Sequence, residues 1–449
     1  RLLNKVFAGI VFIISFIVLF MTVQPSVSFW DCGEFIAASV SMQVPHPPGT
    51  PFFLLLGNIF SKLPIGENLG YRVNMISVIS SALSILLLYL IAVKLIENYK
   101  GKKADNMFDA ISTYVSAAIG ALAFSFSDTF WFNGVEAEVY AFSTFLFAAV
   151  TYLIIRWNER ADNKDSEKYI LMIAYLVGLS TGVHLMSVLA AVPVVMIIMF
   201  KKYVNDEESL KKTGYIFLGH LAIVLLLAVF WWMGEKTQSA PTMEEYQSFD
   251  TKFKIFLVGI SAVIMGIYWK KIFTRNSFYM PLIIGGIALF ATYPGVVKYL
   301  PELMTKIGGD NNVIEVFILA ALFSAIGYAI YYTKKESKPT LNLVFKSFLF
   351  VLVGFTTFAI VIIRANQNPP MNENEPDKFT ELVKYLNREQ YGDFPIFKRR
   401  FATEPHQQIV YTGYSTDLDF FYTYQMNHMM TRYLLWNFAG REGWEQDQG

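Results

Sequence analysis

Long apolar runs separated by short charged connections dominate this chain. Runs over 6–23, 73–93, 110–127, 138–155, 169–183, 185–200, 214–233, 253–269, 278–295, 313–332 and 342–363 approach the roughly 20 apolar residues an α-helix needs to cross a bilayer. The pattern predicts an all-α membrane protein, a bundle of about eleven transmembrane helices. The stretch 169–200 reads as a broken pair rather than one helix. Lys168 and Lys201–Lys202 both read as cytoplasmic, and Gly178, Gly182 and Pro193 place a break near Gly182-Val183-His184. Irregular backbone at membrane depth survives only where it lines a cavity or is buried in protein. The apolar stretch 52–63 is too short to span and is bounded by Pro51 and Pro64, which predicts an interfacial helix within an external loop over 24–72.

After the last run the pattern changes. Residues 1–364 read as the polytopic domain. Residues 365–449 read as an external tail, the expected start of a larger soluble domain. Within the tail, Phe379, Leu382, Val383 and Leu386 fall on one helical face, and Met426, Met429, Met430 and Tyr433 repeat the spacing. Phe397-Lys398-Arg399-Arg400-Phe401 interrupts the pattern, and the chain ends on the polar run Glu445-Gln446-Asp447-Gln448-Gly449.

Composition agrees: 54% of residues are hydrophobic and 16% charged, against about 25% charged in soluble domains. A net charge of +1 gives no signal for nucleic acid. The single cysteine, Cys32, excludes an internal disulfide. The first run has the length of a signal peptide, but Gln24-Pro25-Ser26-Val27 offers no small-residue cleavage site, so it reads as a retained span. With the N-terminus cytoplasmic, 21 Lys and Arg residues fall on cytoplasmic connections and eight on the opposite side up to Arg364. This bias sets the orientation expected for a bacterial inner-membrane protein. It puts the Asp31 loop, the 128–137 loop, His184 and the tail on the periplasmic side.

Four chemical clusters then share one membrane face. They are Asp31 with Glu34, just after the first span; His46 in the strap Pro45-His46-Pro47-Pro48-Gly49-Thr50-Pro51; Asn133, Glu136, Glu138 and Tyr140 in the second external loop; and Arg364 with Asn366 at the end of the last span. Arg72 opens the second span, and His184 sits at the break. Acids beside a bilayer are costly unless they face water or perform chemistry. Plain structural roles compete with this reading: a solvated acid, a histidine capping the strap, an arginine snorkelling to the interface. Taken together, the groups suit a polyprenyl-phosphate sugar donor, with a carboxylate as base, near neutral pH, for an acceptor hydroxyl and Arg364 or Arg72 on the phosphate. Neither a phosphate-cradling glycine loop nor a Cys/His zinc spacing is present.

The stretches Ser28-Phe29-Trp30-Asp31-Cys32-Gly33-Glu34-Phe35-Ile36-Ala37, His46-Pro47-Pro48-Gly49-Thr50-Pro51, Arg72-Val73-Asn74, Asn133-Gly134-Val135-Glu136-Ala137-Glu138-Val139-Tyr140, Gly178-Leu179-Ser180 with His184, and Asn366-Gln367-Asn368-Pro369-Pro370 resemble a family of bacterial polytopic membrane proteins of formerly unknown function. That family is related to the animal transmembrane O-mannosyltransferase of receptor ectodomains. The resemblance covers roughly residues 1–395 and 421–441. It implies a GT-C type glycosyltransferase whose first external loop carries the active site. Asp31 matches the catalytic base and Glu34 its partner. Glu136 and Glu138 match the second acidic motif, which in some members binds a metal and in others contacts the acceptor; a divalent metal is therefore an open cofactor expectation. The implied partners are a lipid-phosphate sugar, a protein Ser/Thr hydroxyl and the bilayer, with no nucleic acid. Two readings from other classes remain. A flippase for lipid-linked sugars would place its acids near the bilayer midplane. A non-catalytic subunit of an envelope secretion complex would tolerate loss of Asp31.

Overall fold

In the computed structural model, which describes residues 2–236, 242–309, 311–401 and 410–440, regular structure among the described residues is helical apart from one isolated β-bridge. In chain order the helices are α1 (Leu2–Met21), α2 (Cys32–Ser41), α3 (Pro51–Ser61), α4 (Leu69–Lys100), α5 (Met107–Ser125), α6 (Asp128–Gly134), α7 (Val139–Asn158), α8 (Glu167–Ser180), α9 (Ala191–Lys202), α10 (Glu207–Gly234), α11 (Met243–Ile267), α12 (Trp269–Ile272), α13 (Tyr279–Phe290), α14 (Leu300–Gly308), α15 (Asn312–Lys335), α16 (Pro339–Phe355), α17 (Ala359–Ala365), α18 (Phe379–Leu386) and α19 (Arg432–Ala439). A 3₁₀ turn over Leu185–Ala190 leads into α9, and wide π-type turns run over Ala291–Tyr299 and Phe420–Thr431.

Nine helical stretches among the described residues are long and apolar enough to cross a membrane, against the eleven expected. The two that fall short are specific. The run 169–183 is α8, whose 14 residues reach only about 21 Å at 1.5 Å per residue. The run 253–269 is the distal part of α11, whose earlier turns carry Glu244, Glu245, Asp250, Lys252 and Lys254. The expected break is present: α8 stops at Ser180, and His184 caps the turn that follows, its Nδ1 accepting from the Met186 amide at 3.2 Å. The final run Glu445–Gly449 lies outside the described residues.

The chain divides into two units, Arg1–Lys201 with Ile284–Tyr391, and Lys202–Ile283 with Gly392–Gly449. In the first unit α4 is the hub. Its 32 residues are capped before the start by Asn68, whose side chain accepts from the Gly70 and Tyr71 amides, and after the end by Gly101 in the left-handed region at φ +67°. α1, α5 and α7 pack around it, while α8 joins α7 to α16. The α8–α16 contact is backbone on backbone: a Cβ at Gly178 would stand 2.2 Å from the Val351 carbonyl oxygen, and one at Gly354 2.4 Å from the Leu179 nitrogen. Only glycine permits that approach. The stretch expected as an interfacial helix is α3. Phe53, Leu54 and Gly57 are buried, packed toward α2 and α4, and the Phe52 amide donates to the Gly182 carbonyl at 2.8 Å. The break in the bundle thus satisfies an otherwise orphaned amide at the start of α3.

The second unit is organised by charge and aromatic rings. Asp250 on α11 accepts from the backbone amides of Ile396, Phe397 and Lys398, the last at 2.8 Å. Asp417, fully buried, takes Arg400 Nε at 2.8 Å, Lys398 Nζ at 3.3 Å and the Arg399 amide at 3.0 Å. Lys398 also reaches Glu235 at 2.8 Å. Phe397 packs on Phe253 with ring centroids 4.7 Å apart, and Trp232 donates to the Phe397 carbonyl at 3.1 Å. The Phe397–Phe401 interruption is therefore a buried clip.

Candidate functional site

Asp31 occupies the N-cap position of α2, where a carboxylate commonly accepts from the first amides of the helix. It makes no such bond. Trp30 before it adopts left-handed backbone, φ +59°, a conformation that costs a non-glycine residue about 1–3 kcal/mol. The result is an acid held at the head of a helix with its side chain 57% exposed.

Glu34, one turn into α2, is engaged twice by His46. The His46 amide donates to Oε1 at 2.6 Å, and the ring Nδ1 pairs with Oε2 at 2.6 Å. The other ring nitrogen lies 3.9 Å from Asp31 Oδ2. Glu34 thereby holds the imidazole up from its ordinary pKa, chiefly through the hydrogen bond. The same pairing carries the Glu34 carboxyl below its ordinary value although burial opposes it. Single donor atoms of Asp31, Glu34 and His46 lie within 4.8 Å of one another, a set that could hold a divalent cation. A cation there would have to replace the proton that already joins Glu34 to His46.

The strap that presents His46 is fastened by residues after the last span. The Val44 amide donates to the Met371 carbonyl at 3.1 Å and the Glu373 amide to the Val44 carbonyl at 3.1 Å, a parallel bridge between Val44 and Asn372. The Tyr385 hydroxyl, buried under α18, donates to the Pro45 carbonyl. Gly49 stands at φ +81° with the Tyr385 ring beneath it, so a Cβ would meet Tyr385 Oη at 2.6 Å.

The second acidic loop enters through Glu136 and Glu138, both buried. Ser28 Oγ donates to Glu136 Oε2 at 2.6 Å, and Cys32 Sγ lies 3.9 Å from Glu138 Oε1. Since Cys32 follows Asp31 directly, the two acidic loops meet at this thiol. Burial pushes Glu138 up to about 7, with the charges of Asp31 and Glu136 adding to it. Burial also raises Glu136, and burial with the two glutamates keeps the Cys32 thiol protonated. Tyr140 follows on α7, its ring 5.2 Å from that of His184, which burial keeps neutral.

The remaining expected residues have local partners. Arg72 donates to the Gly66 and Ser61 carbonyls, the latter at 2.8 Å. Arg364 donates to the Met42 and Ser41 carbonyls at the end of α2 and to Gln367. Asn133 Nδ2 bonds the Thr129 carbonyl within its own helix, and Asn366 Nδ2 the Ile362 and Asp377 carbonyls. Three participants escaped the sequence reading. Tyr385 and Glu373 act on the strap from far along the chain. Arg388 lies in a turn whose only signal is a lone basic residue after the α18 pattern.

Residues 31–207 match the family described as the protein O-mannosyl-transferase TMEM260 N-terminal domain. The chain is 27% identical to the protein O-mannosyl-transferase tmem260 of Dictyostelium discoideum over 203 residues, covering 42% of this chain and 23% of that protein. It is 27% identical to the mouse protein O-mannosyl-transferase TMEM260 over 191 residues, covering 42% of this chain and 25% of that one. The alignments thus span about a quarter of these relatives. No solved structure matches. The matched region contains Asp31, Glu34, His46, Glu136, Glu138 and His184 and ends before Arg364. Over that region this multi-span helical protein is related to the animal O-mannosyl-transferase.

Proposed function

We propose that this chain is a membrane glycosyltransferase of GT-C type that moves a sugar from a polyprenyl-phosphate carrier to a protein Ser or Thr hydroxyl on the non-cytoplasmic face of the bacterial inner membrane. The observation that carries this reading is the meeting of two acidic loops at Cys32, with an exposed acid, Asp31, beside a histidine held by Glu34 and buried acids behind it. The named activity of the relatives supports it.

Asp31 takes the proton of the acceptor hydroxyl as its oxygen bonds to C1 of the sugar. The C1–O bond to phosphate breaks, and its electron pair leaves on the phosphate. His46, fixed by Glu34, stands beside Asp31 and orients it. Glu138, pushed up to about 7 chiefly by burial, titrates near neutral pH, so it can donate a hydrogen bond to substrate as well as accept one. The Glu34–His46 hydrogen bond occupies ligand atoms that a divalent ion would need. Chelation with EDTA is therefore expected to leave turnover unchanged, and a loss restored by Mg²⁺ or Mn²⁺ would reassign the trio as metal ligands. The direct test is transfer from a synthetic polyprenyl-phosphate sugar to an acceptor peptide. Asp31→Asn should retain the fold and lose about 10²–10⁴ in rate; near-normal turnover would overturn the reading.

A further inference from the structure

Three arginines lie around the acidic loops, and they differ in what holds them. The Arg72 and Arg364 guanidiniums are spent on backbone carbonyls. Arg388 is not. It follows α18 in left-handed backbone, φ +58°, with its amide bonded to the Tyr385 carbonyl at 3.1 Å. Tyr385 is the residue that fastens the His46 strap, so the position of Arg388 is tied to that of the acids. Its side chain is exposed and lies over the Tyr391 ring, 4.8 Å from the centroid. Among the described residues no carboxylate and no hydrogen-bond acceptor takes it up. An aromatic face orients a guanidinium without neutralising it.

The charge of Arg388 acts on three separate elements: Tyr140 at the head of α7, His184 at the break, and Tyr293 in the wide turn after α13. Tyr140 also feels Glu138 and Asp31. Tyr140, whose ring is tilted 58° against that of His184, is thus within reach of both an anionic pole, Glu138 and Asp31, and a cationic one, Arg388.

We propose that Arg388, held beside the His46 strap through Tyr385, binds the phosphate of the lipid-carried donor. This rests on the glycosyltransferase reading above. When the C1–O bond breaks, the new negative charge collects on the phosphate oxygen, while the acceptor proton goes to Asp31 at the opposite pole. A free guanidinium offers that oxygen two parallel N–H donors.

The test uses the full chain in nanodiscs of uncharged phosphatidylcholine, with farnesyl phosphate as the probe of the carrier phosphate. Arg388→Ala should weaken its binding about 10- to 100-fold, the usual scale of a charged hydrogen bond. Arg388→Lys should recover only part, because the fork is lost. Arg364→Ala should leave binding unchanged, and thermal unfolding of each variant serves as the folding control, with Arg388→Gln read in place of any Ala variant that fails to fold. In transfer assays the donor KM should rise while the acceptor KM stays. Competition by inorganic phosphate, or by phosphatidylglycerol in the disc, distinguishes the source of the anion; displacement of the probe by either at equal concentration would overturn a donor-specific site. Wild-type affinity in Arg388→Ala would overturn the proposal while leaving the Asp31 result standing. A wild-type protein that binds no polyprenyl phosphate would overturn both.

Discussion

Asp417 and Glu136 are both buried acids, and they are kept in opposite ways. Asp417, fully enclosed, is met by Lys398, Arg400 and the Arg399 amide, so its charge is balanced on the spot. Glu136, 1% exposed, is met by one hydroxyl and by the thiol of Cys32, with no cation paired to it among the described residues. Glu138 stands beside it and feels the charge of Asp31, and among the described residues His46 is the group paired with Asp31 and Glu34. The first arrangement spends charge on fastening a loop. The second leaves a carboxyl excess that shifts pKa values toward neutrality, which is costly for a fold and useful for proton transfer.

The comparison breaks most sharply on stability. Asp417→Asn leaves Arg400 buried without its carboxylate partner and Lys398 with Glu235 alone, and removing one partner of a buried pair costs about 3–5 kcal/mol. Asp31→Asn should leave the unfolding temperature essentially unchanged while abolishing transfer, because its side chain caps nothing and is half exposed. Thermal unfolding of the purified variants in nanodiscs checks both. If Asp31→Asn is the less stable of the two, Asp31 is structural and the contrast collapses.

This contrast also shows how far the sequence could be read. Local patterns carried most of the fold: spans announced by apolar runs, the break at Gly182, and the α18 face through Phe379, Leu382 and Leu386. The runs 169–183 and 253–269 fall in helices too short or too charged to stand among the nine crossing stretches, because an apolar run reports burial without reporting what covers it. α8 is shielded by α7 and α16. The site was legible where it is local, at Asp31 and Glu34. It was illegible where partners come from across the chain: Tyr385 lies 340 residues from Pro45, and nothing in the spacing joins them. The Phe397–Phe401 clip was visible only as an interruption, since its meaning depends on Asp250 and Asp417.

A second prediction sharpens the acidic side. Glu138 sits near 7 in the folded protein, against 4.5 for an ordinary glutamate. Between those values the folded state holds a proton that the unfolded chain has released, so stability falls as pH rises through this window. Above it the deficit is constant at about 3 kcal/mol. Glu138→Gln does not titrate. It should therefore unfold at a higher temperature than wild type at pH 8, with the gap closing toward pH 5. A gap independent of pH would mean that Glu138 titrates alike in the folded and unfolded chain, and the carboxyl excess would not shift it as the contrast requires.

The mildest expected effect concerns Arg364, a cation whose charge is used as structure inside the first unit. Its guanidinium closes the last carbonyls of α2 through Ser41 and Met42, just after Met42 turns into left-handed backbone at φ +51°. Cations at a helix C-terminus and bonds to its free carbonyls contribute about 0.5–1.5 kcal/mol each. Arg364→Ala should lower stability by about 1–2 kcal/mol on that scale. Arg364→Lys should recover roughly half, since an ammonium keeps the charge but cannot span both carbonyls and Gln367 with a rigid fork. Donor KM should be unchanged in both, because α2 is also held by the strap bonds at Val44 and by Tyr385. A raised donor KM in Arg364→Ala, with Lys failing to restore it, would instead put Arg364 on the donor phosphate.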